Sequence, residues 1–446
     1  MLLRAAGMAL AATAGIVLAR RLGPSGYGIY SWAFAWVTAL SVPAALGADQ
    51  LLVREAAIAL DCGDRAGLRS LVMSALRRVT FASLAVVLLV LVGFALFGGD
   101  PGVRGRSLEA ALPILPLTAI AALAQGSLLG LGRTAAAVAP GTLGRQALFL
   151  GLAMISVLLG IASPTVTVEL QLLATATSTI ILLVLLRHAL TRVKPSAPGR
   201  QVAGNPAAVT ADRIPGDRAT AAGERVGGGD WLWVSVPMGA AMMLLMVDAQ
   251  VGLLVLGTSG DTSGAGVYAV ALQCTAPFAL LLSAGRLPLG GVVARLTAAG
   301  DRARLQRGLT TATRVVALAS AAVAAILLLV PESVLDLFGN GFATGATTLR
   351  IVAVAQLVNA ACAYNGLVLI MSGLQRVAAM AALGSLLVDA ALCLVLVPSL
   401  GARGAALALL LSVALRNIVT SVLARARLGI DTTVLGRGLA APRARS

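Results

Sequence analysis

The stretch Ser25-Gly26-Tyr27-Gly28-Ile29-Tyr30-Ser31-Trp32-Ala33 returns as Ser263-Gly264-Ala265-Gly266-Val267-Tyr268-Ala269-Val270-Ala271, each time between two long apolar runs. A second echo sets Gly63-Asp64-Arg65-Ala66-Gly67-Leu68 against Gly300-Asp301-Arg302-Ala303-Arg304-Leu305, and the offsets are 238 and 237 positions. Two matches at one spacing describe a single bundle written twice. Duplicated membrane bundles that enclose a midplane cavity are the usual build of secondary transporters, so the repeat points from architecture toward transport.

Composition agrees: 59% of residues are hydrophobic and only 12% charged, with a mean hydropathy of +0.94. Such a chain cannot clothe a water-soluble surface and reads as an integral membrane protein. The net charge of +16 does not indicate nucleic acid, because the arginines sit at the ends of apolar runs rather than among aromatics on a polar face. The cysteines Cys62, Cys274, Cys362 and Cys393 are far apart, and His188 is the only histidine. This pattern suggests neither a disulfide framework nor a metal site.

Apolar runs of the length that crosses a bilayer, about 17 to 25 residues, predict twelve helices near 2–19, 27–48, 79–97, 110–131, 139–160, 166–186, 231–256, 267–287, 312–330, 349–371, 377–397 and 403–423. The first is at the short limit, which leaves room for a further turn upstream. With the N-terminus in the cytoplasm, all of the 34 basic residues except Arg20, Arg21, Arg104, Arg106, Arg350 and Arg403 fall in inner loops or inner helix ends. The bias of Lys and Arg toward the cytoplasm therefore predicts that both termini are cytoplasmic. Residues 188–230 lose hydrophobic periodicity and become rich in Pro, Ala, Gly and Arg, the composition of a disordered cytoplasmic linker. The expected organisation is a six-helix lobe over 1–187, the linker, a second six-helix lobe over 231–427 and a cytoplasmic tail over 428–446. The fold class is an all-α integral membrane protein whose two lobes are related by a parallel repeat.

Beside the repeats, the chain resembles the polysaccharide flippases of the multidrug/oligosaccharidyl-lipid/polysaccharide exporter superfamily. The stretches that carry the resemblance are Ala19-Arg20-Arg21-Leu22-Gly23-Pro24-Ser25-Gly26-Tyr27-Gly28, Gly47-Ala48-Asp49-Gln50-Leu51-Leu52-Val53-Arg54-Glu55, Asp248 ahead of Leu253-Leu254-Val255-Leu256-Gly257, and Leu396-Val397-Pro398-Ser399-Leu400-Gly401-Ala402-Arg403-Gly404. What the resemblance implies is a V-shaped pair of lobes around a central cavity in the bacterial cytoplasmic membrane. The implied cargo is a polyprenyl-pyrophosphate-linked sugar, with a polysaccharide polymerase and glycosyltransferases as working partners and no cofactor beyond a coupling proton or sodium.

Ionisable side chains near a helix centre cost about 2.5 to 3.5 kcal/mol each on insertion scales and are expected to be paired or to face water. The repeat offset carries Asp49 onto Arg286. A third echo, Gly132-Arg133-Thr134-Ala135-Ala136 against Gln375-Arg376-Val377-Ala378-Ala379, carries Arg145 to within one position of Asp389. Asp49 with Arg286, and Arg145 with Asp389, are thus candidate charge pairs across the cavity. The arginines would exchange carboxylate for pyrophosphate, since a guanidinium fork fits both. Snorkelling to the inner headgroups is the plainer alternative for each.

Asp248 lies roughly 25 Å along its helix and Asp389 roughly 18 Å, which makes them, with Asp49, candidates for gating or ion coupling. Arg145, Arg286, Arg20 and Arg54 are the candidate cavity cations. No catalytic residue stands out. The leading expectation is a flippase working by alternating access. A cation-coupled drug or metabolite antiporter would want a more acidic cavity, and a membrane-embedded glycosyltransferase or polymerase would want a longer outer loop.

Overall fold

The computed structural model describes residues 2–45, 52–53, 56, 65–97, 102–161, 163–191, 242–298 and 302–436. In the first half these form α1 (Leu2–Ala45), α2 (Arg65–Phe97), α3 (Val103–Ala111), α4 (Ile114–Gly130), α5 (Thr134–Val138), α6 (Arg145–Leu158) and α7 (Pro164–Thr191). The second half holds α8 (Val251–Thr258), α9 (Thr262–Cys274), α10 (Ala276–Ala298), α11 (Arg302–Leu329), α12 (Pro331–Asp336), α13 (Ala346–Ala361), α14 (Asn365–Met371), α15 (Gln375–Leu400) and α16 (Ala402–Leu428). Helices are what a membrane demands, because each backbone polar group must then be satisfied within its own segment.

Among the described residues ten helices are long and apolar enough to cross a membrane, and Met242–Thr258 is a shorter apolar helix. The first of the ten, Ala5–Ser41, carries two of the expected spans. They join without a loop, because Gly23 alone breaks the helix, at φ 66 and ψ 178. Only glycine enters that region without a steric cost, and Pro24 is preset for the first turn of the arm that follows. The repeated motif therefore opens a helix in both copies. In the second copy Asp261 caps α9 by accepting the Gly264 amide at 2.7 Å.

Other reversals also fall at positive-φ glycines. Gly23, Gly160, Gly260, Gly339, Gly341 and Gly401 lie at one end of the bundle, the Gly23 face; Gly132, Gly373 and Gly429 lie at the other. Large apolar side chains such as Phe81, Leu89, Leu318, Leu329 and Val395 stand mostly exposed on the outer flanks of their helices. In water such a belt would be a severe liability, and in lipid it is the normal exterior.

The halves meet mainly through α1, whose arms pack against α8 and α9. The largest apolar cluster crosses this seam, joining Ala14, Leu18, Tyr27 and Phe149 to Leu256, Tyr268, Phe278 and Phe342. Tyr27 Oη donates to Gln273 Oε1 at 2.7 Å, and Gln273 Nε2 donates to the Ala11 carbonyl at 3.1 Å. Gly15 leaves the space this amide fills, since a β-carbon there would run into the Gln273 side chain.

Two element ends differ from expectation. Helix α7 runs on to Thr191, past the start assigned to the linker, whose remainder lies outside the described residues. After Leu428 the chain does not leave the bundle at once. Asp431 and Gln306 exchange a pair of hydrogen bonds at 2.7 and 2.6 Å, and the Val434 amide donates to Ala361 at 3.0 Å. This clips residues 429–436 onto α11 and α13.

Candidate functional site

In the second half a polar cluster forms inside the apolar bundle. The helix Met242–Thr258 is interrupted by a turn at Ala249 and Gln250, directly after Asp248. Broken helices at membrane depth are tolerated where they serve a polar site. Ser385 and Asp389 stand one turn apart on α15, as do Ser412 and Arg416 on α16, so each pair shares a helix face.

Packing brings the three helices together. Arg416 Nη1 donates to Asp248 Oδ2 at 2.9 Å and lies 3.3 Å from Ser385 Oγ. Ser385 Oγ donates to the same Asp248 oxygen at 3.2 Å, while Ser412 Oγ donates to Asp389 Oδ1 at 3.3 Å. Asp248 is 3% exposed and Asp389 1%. With two carboxylates and one guanidinium, the cluster carries one net negative charge when all are ionised. Asp248 Oδ1 is buried and has no hydrogen-bond partner. A buried carboxylate calls for a paired, hydrogen-bonded partner, and Arg416 supplies it to Asp248.

The first half builds a different site. Between α5 and α6 the backbone takes a π-helical turn over Ala139–Gly144, where Pro140 cannot donate an amide. Ser178 of α7 donates to the Pro140 carbonyl at 2.9 Å and so stitches the bulge to its neighbour. Arg145 follows immediately. It lines a cavity of about 230 Å³ together with Thr118, Gln125, Thr142, Thr175 and Thr179. Arg145 Nε is buried there without a hydrogen-bond partner.

The structure thus separates residues that the repeat had paired. Asp389 bonds Ser412 and Arg145 lines the cavity of the other half, so no Arg145–Asp389 ion pair occurs among the described residues. Asp49 and Arg54 lie outside the described residues, and of Arg286 only the backbone, on α10, is described. Arg20 stands at the Gly23 face, where its Nε donates to the Leu337 carbonyl at 2.7 Å. The residue that sequence reasoning passed over is Arg416, assigned there to an inner helix end. Its signal was present in the spacings Ser385-x-x-x-Asp389 and Ser412-x-x-x-Arg416 on adjacent apolar helices.

Residues 1–206 match the family model described as polysaccharide biosynthesis protein. The chain superposes on an inward-facing multidrug resistance MATE family transporter of the MOP superfamily, with a TM-score of 0.70 at 16% identity, covering 95% of this chain and 94% of that one. The chain has the MOP transporter fold. A MOP superfamily transporter from Pyrococcus furiosus matches at TM-score 0.65 and 14% identity over 96% and 94% of the two chains. The lipid II flippase MurJ, in an inward closed conformation, matches at 0.66 and 12% over 95% and 87%. No curated protein sequence matches the chain. The relatives with the MOP fold are transporters and a flippase, not enzymes, and the family resemblance and all-α class read from the sequence are borne out.

Proposed function

We propose that this chain is a flippase that carries a polyprenyl-pyrophosphate-linked oligosaccharide, of the undecaprenyl type, from the inner to the outer leaflet of a bacterial cytoplasmic membrane. Its two lobes, 1–187 and 231–427, would alternate access, with both termini cytoplasmic and the Gly23 face outside. The product would feed cell-surface polysaccharide synthesis through a polymerase, after glycosyltransferases have built the sugar.

The observation that carries this reading is the cavity at Arg145. Among its described lining residues the only ionisable group is a cation, and the rest of its polar lining is hydroxyl and amide. A site for cationic drugs would place carboxylates there. A guanidinium with a free Nε–H suits phosphate oxygens, and hydroxyls and an amide suit phosphate or sugar. Its 230 Å³ is below the range of about 300 to 1,000 Å³ for pockets that swallow a drug-sized ligand. It therefore seats a pyrophosphate or one sugar ring, and the rest of the glycan would stay in the seam.

In this scheme the Asp248, Asp389 and Arg416 cluster is the coupling element, where a proton or cation exchanges against the resident guanidinium. Arg286, Arg54 and Asp49 remain proposed wall charges. An inside-negative potential also favours outward movement of an anion by about 2.3 kcal/mol per uncompensated charge per 100 mV.

The test is leaflet accessibility of a fluorescent polyprenyl-pyrophosphate-linked glycan in vesicles containing the protein. Hydrogen bonds to charged groups contribute about 1.5 to 3 kcal/mol, so Arg145→Gln is expected to slow transfer at least about tenfold, and Arg145→Lys less. Transfer at the native rate by Arg145→Gln, or no transfer by the native protein, overturns the reading.

A further inference from the structure

We infer that the Gly23 face of the seam is a shut gate built on the internal two-fold and held by two arginine latches, Arg20 and Arg104. The inference rests on the alternating-access reading but not on the identity of the cargo. Its starting point is the repeat, in which Pro24 corresponds to Thr262 and Gly28 to Gly266. In the structure these equivalents touch reciprocally. A β-carbon on Gly28 would run into the Thr262 carbonyl, and one on Gly266 would run into the Pro24 carbonyl.

Gly28 and Gly266 also face each other. A β-carbon on Gly266 would come within 3.1 Å of the Gly28 nitrogen, and one on Gly28 within 2.7 Å of the Gly266 nitrogen. When residue i meets j and the equivalent of j meets the equivalent of i, the contact is isologous and the two-fold passes through it. The axis relating the halves therefore runs between these two glycines. Small residues let two helices approach backbone to backbone, which leaves no passage at the crossing. Ser25 Oγ and Thr262 Oγ1 close the contact with a hydrogen bond at 2.7 Å.

The latches flank this crossing. Arg20 ends the first arm of α1 and reaches across the seam to the Leu337 carbonyl, just beyond α12, at 2.7 Å. Arg104, on α3, reaches the other way, to the Gly257 carbonyl in the last turn of α8, at 3.0 Å. Its guanidinium also lies over the Trp32 ring, 5.8 Å from the centroid. Under the 238-residue offset the end of the first α1 arm falls on the end of α8, and α3 and α12 occupy matching places after the third span of each half. The two bonds thus stand on either side of the axis, and both donors come from the first half.

Both acceptors are carbonyls at helix ends, where the negative end of the helix dipole lies; that of Gly257 also accepts from the Gly260 amide at 3.3 Å, and Arg104 adds a second, charge-assisted donor to it. A guanidinium satisfies them while the halves touch and is taken up by water when they part. Such a bond is firm enough to bias a gate and weak enough to release. This also gives two of the arginines that defy the inward bias of positive charge a reason to be at this face.

The experiment uses the full chain with Cys62, Cys274, Cys362 and Cys393 replaced by alanine and cysteines placed by Ser25→Cys and Thr262→Cys. In vesicles the pair is expected to form a disulfide readily on mild oxidation, reporting the shut gate. Adding Arg20→Gln and Arg104→Gln together is expected to slow that disulfide and to raise labelling of the single Ser25→Cys variant by a membrane-impermeant maleimide, by about tenfold or more for two charge-assisted bonds. Gly28→Leu, which wedges the crossing without touching the latches, is expected to raise labelling as well. Unchanged cross-linking and labelling in the double arginine variant overturns the latches, and unchanged labelling in Gly28→Leu overturns the gate. A gate that behaves as described in a protein that moves no glycan would count against the cargo alone.

Discussion

Removing Arg416 and removing Asp248 are expected to have very different consequences, although the two side chains form one ion pair. The pair is 2.9 Å long, with the aspartate side chain 4% exposed and the arginine side chain 16%. In Arg416→Met the cluster keeps both carboxyl groups, Asp248 and Asp389, on facing helices and loses the guanidinium beside them, so each must take up a proton or remain a buried, unpaired charge. Stranding one member of a buried pair typically costs about 3 to 5 kcal/mol, a loss of roughly 10²- to 10⁴-fold in the folding equilibrium at about 1.4 kcal/mol per decade.

In Asp248→Asn the amide still accepts from Ser385, and Arg416 keeps Asp389 as a nearby counter-charge, so the cluster becomes neutral. The cost should then be nearer that of interhelical hydrogen bonds in membranes, which average about 0.6 kcal/mol and reach about 1.7. The double variant Arg416→Met with Asp248→Asn leaves Asp389 as the one carboxyl group of the cluster and should lie between them. Unfolding in mixed micelles of a mild detergent and dodecyl sulfate, followed by tryptophan fluorescence, ranks the three. If Asp248→Asn proves as damaging as Arg416→Met, or if Arg416→Met costs under about 1 kcal/mol against the 3 to 5 expected for a stranded charge, the cluster is not held by that guanidinium.

The clip formed by residues 429–436 should respond to acid. Burial raises the Asp431 pKa, but the Thr433 amide and hydroxyl and the Arg425 guanidinium, at 3.0, 2.8 and 2.6 Å, together bring it below the ordinary carboxylate value. A lowered folded-state pKa means the contribution is complete above the unfolded value of about 3.9 and is lost as pH falls through the folded one. Hydrogen exchange of the Val434 amide, corrected for its intrinsic rate, should therefore lose protection in that acid window, and in Asp431→Asn protection should be low and flat with pH. Ser178→Ala should free the Pro140 carbonyl of the π-turn and cost about 0.6 kcal/mol, at most about 1.7, by the same detergent unfolding; a larger loss would mean that Ser178 does more than stitch the bulge.

Hydropathy, the repeated Ser-Gly-x-Gly motif and the distribution of arginine determined, from sequence alone, that this chain is a duplicated helical membrane bundle. Those signals are local, since a run of apolar residues forms a helix in lipid whatever its neighbours are. The turn at Gly23 was less legible: the Gly-Pro pair reads as a break, but only the φ of one residue decides whether two helices are joined by a loop or by a corner. Which charges meet was settled by tertiary structure. The repeat relates Arg145 to Asp389 by position, but position under a two-fold does not imply contact: Asp389 bonds Ser412 in its own half, while Arg145 lines the cavity of the other. Asp248 and Arg416 lie 168 residues apart, and their encounter depends on how three helices are rotated and packed against one another. At the crossing of Gly28 and Gly266 equivalent residues do touch, because there the axis passes between two backbones with no side chain to hold them apart.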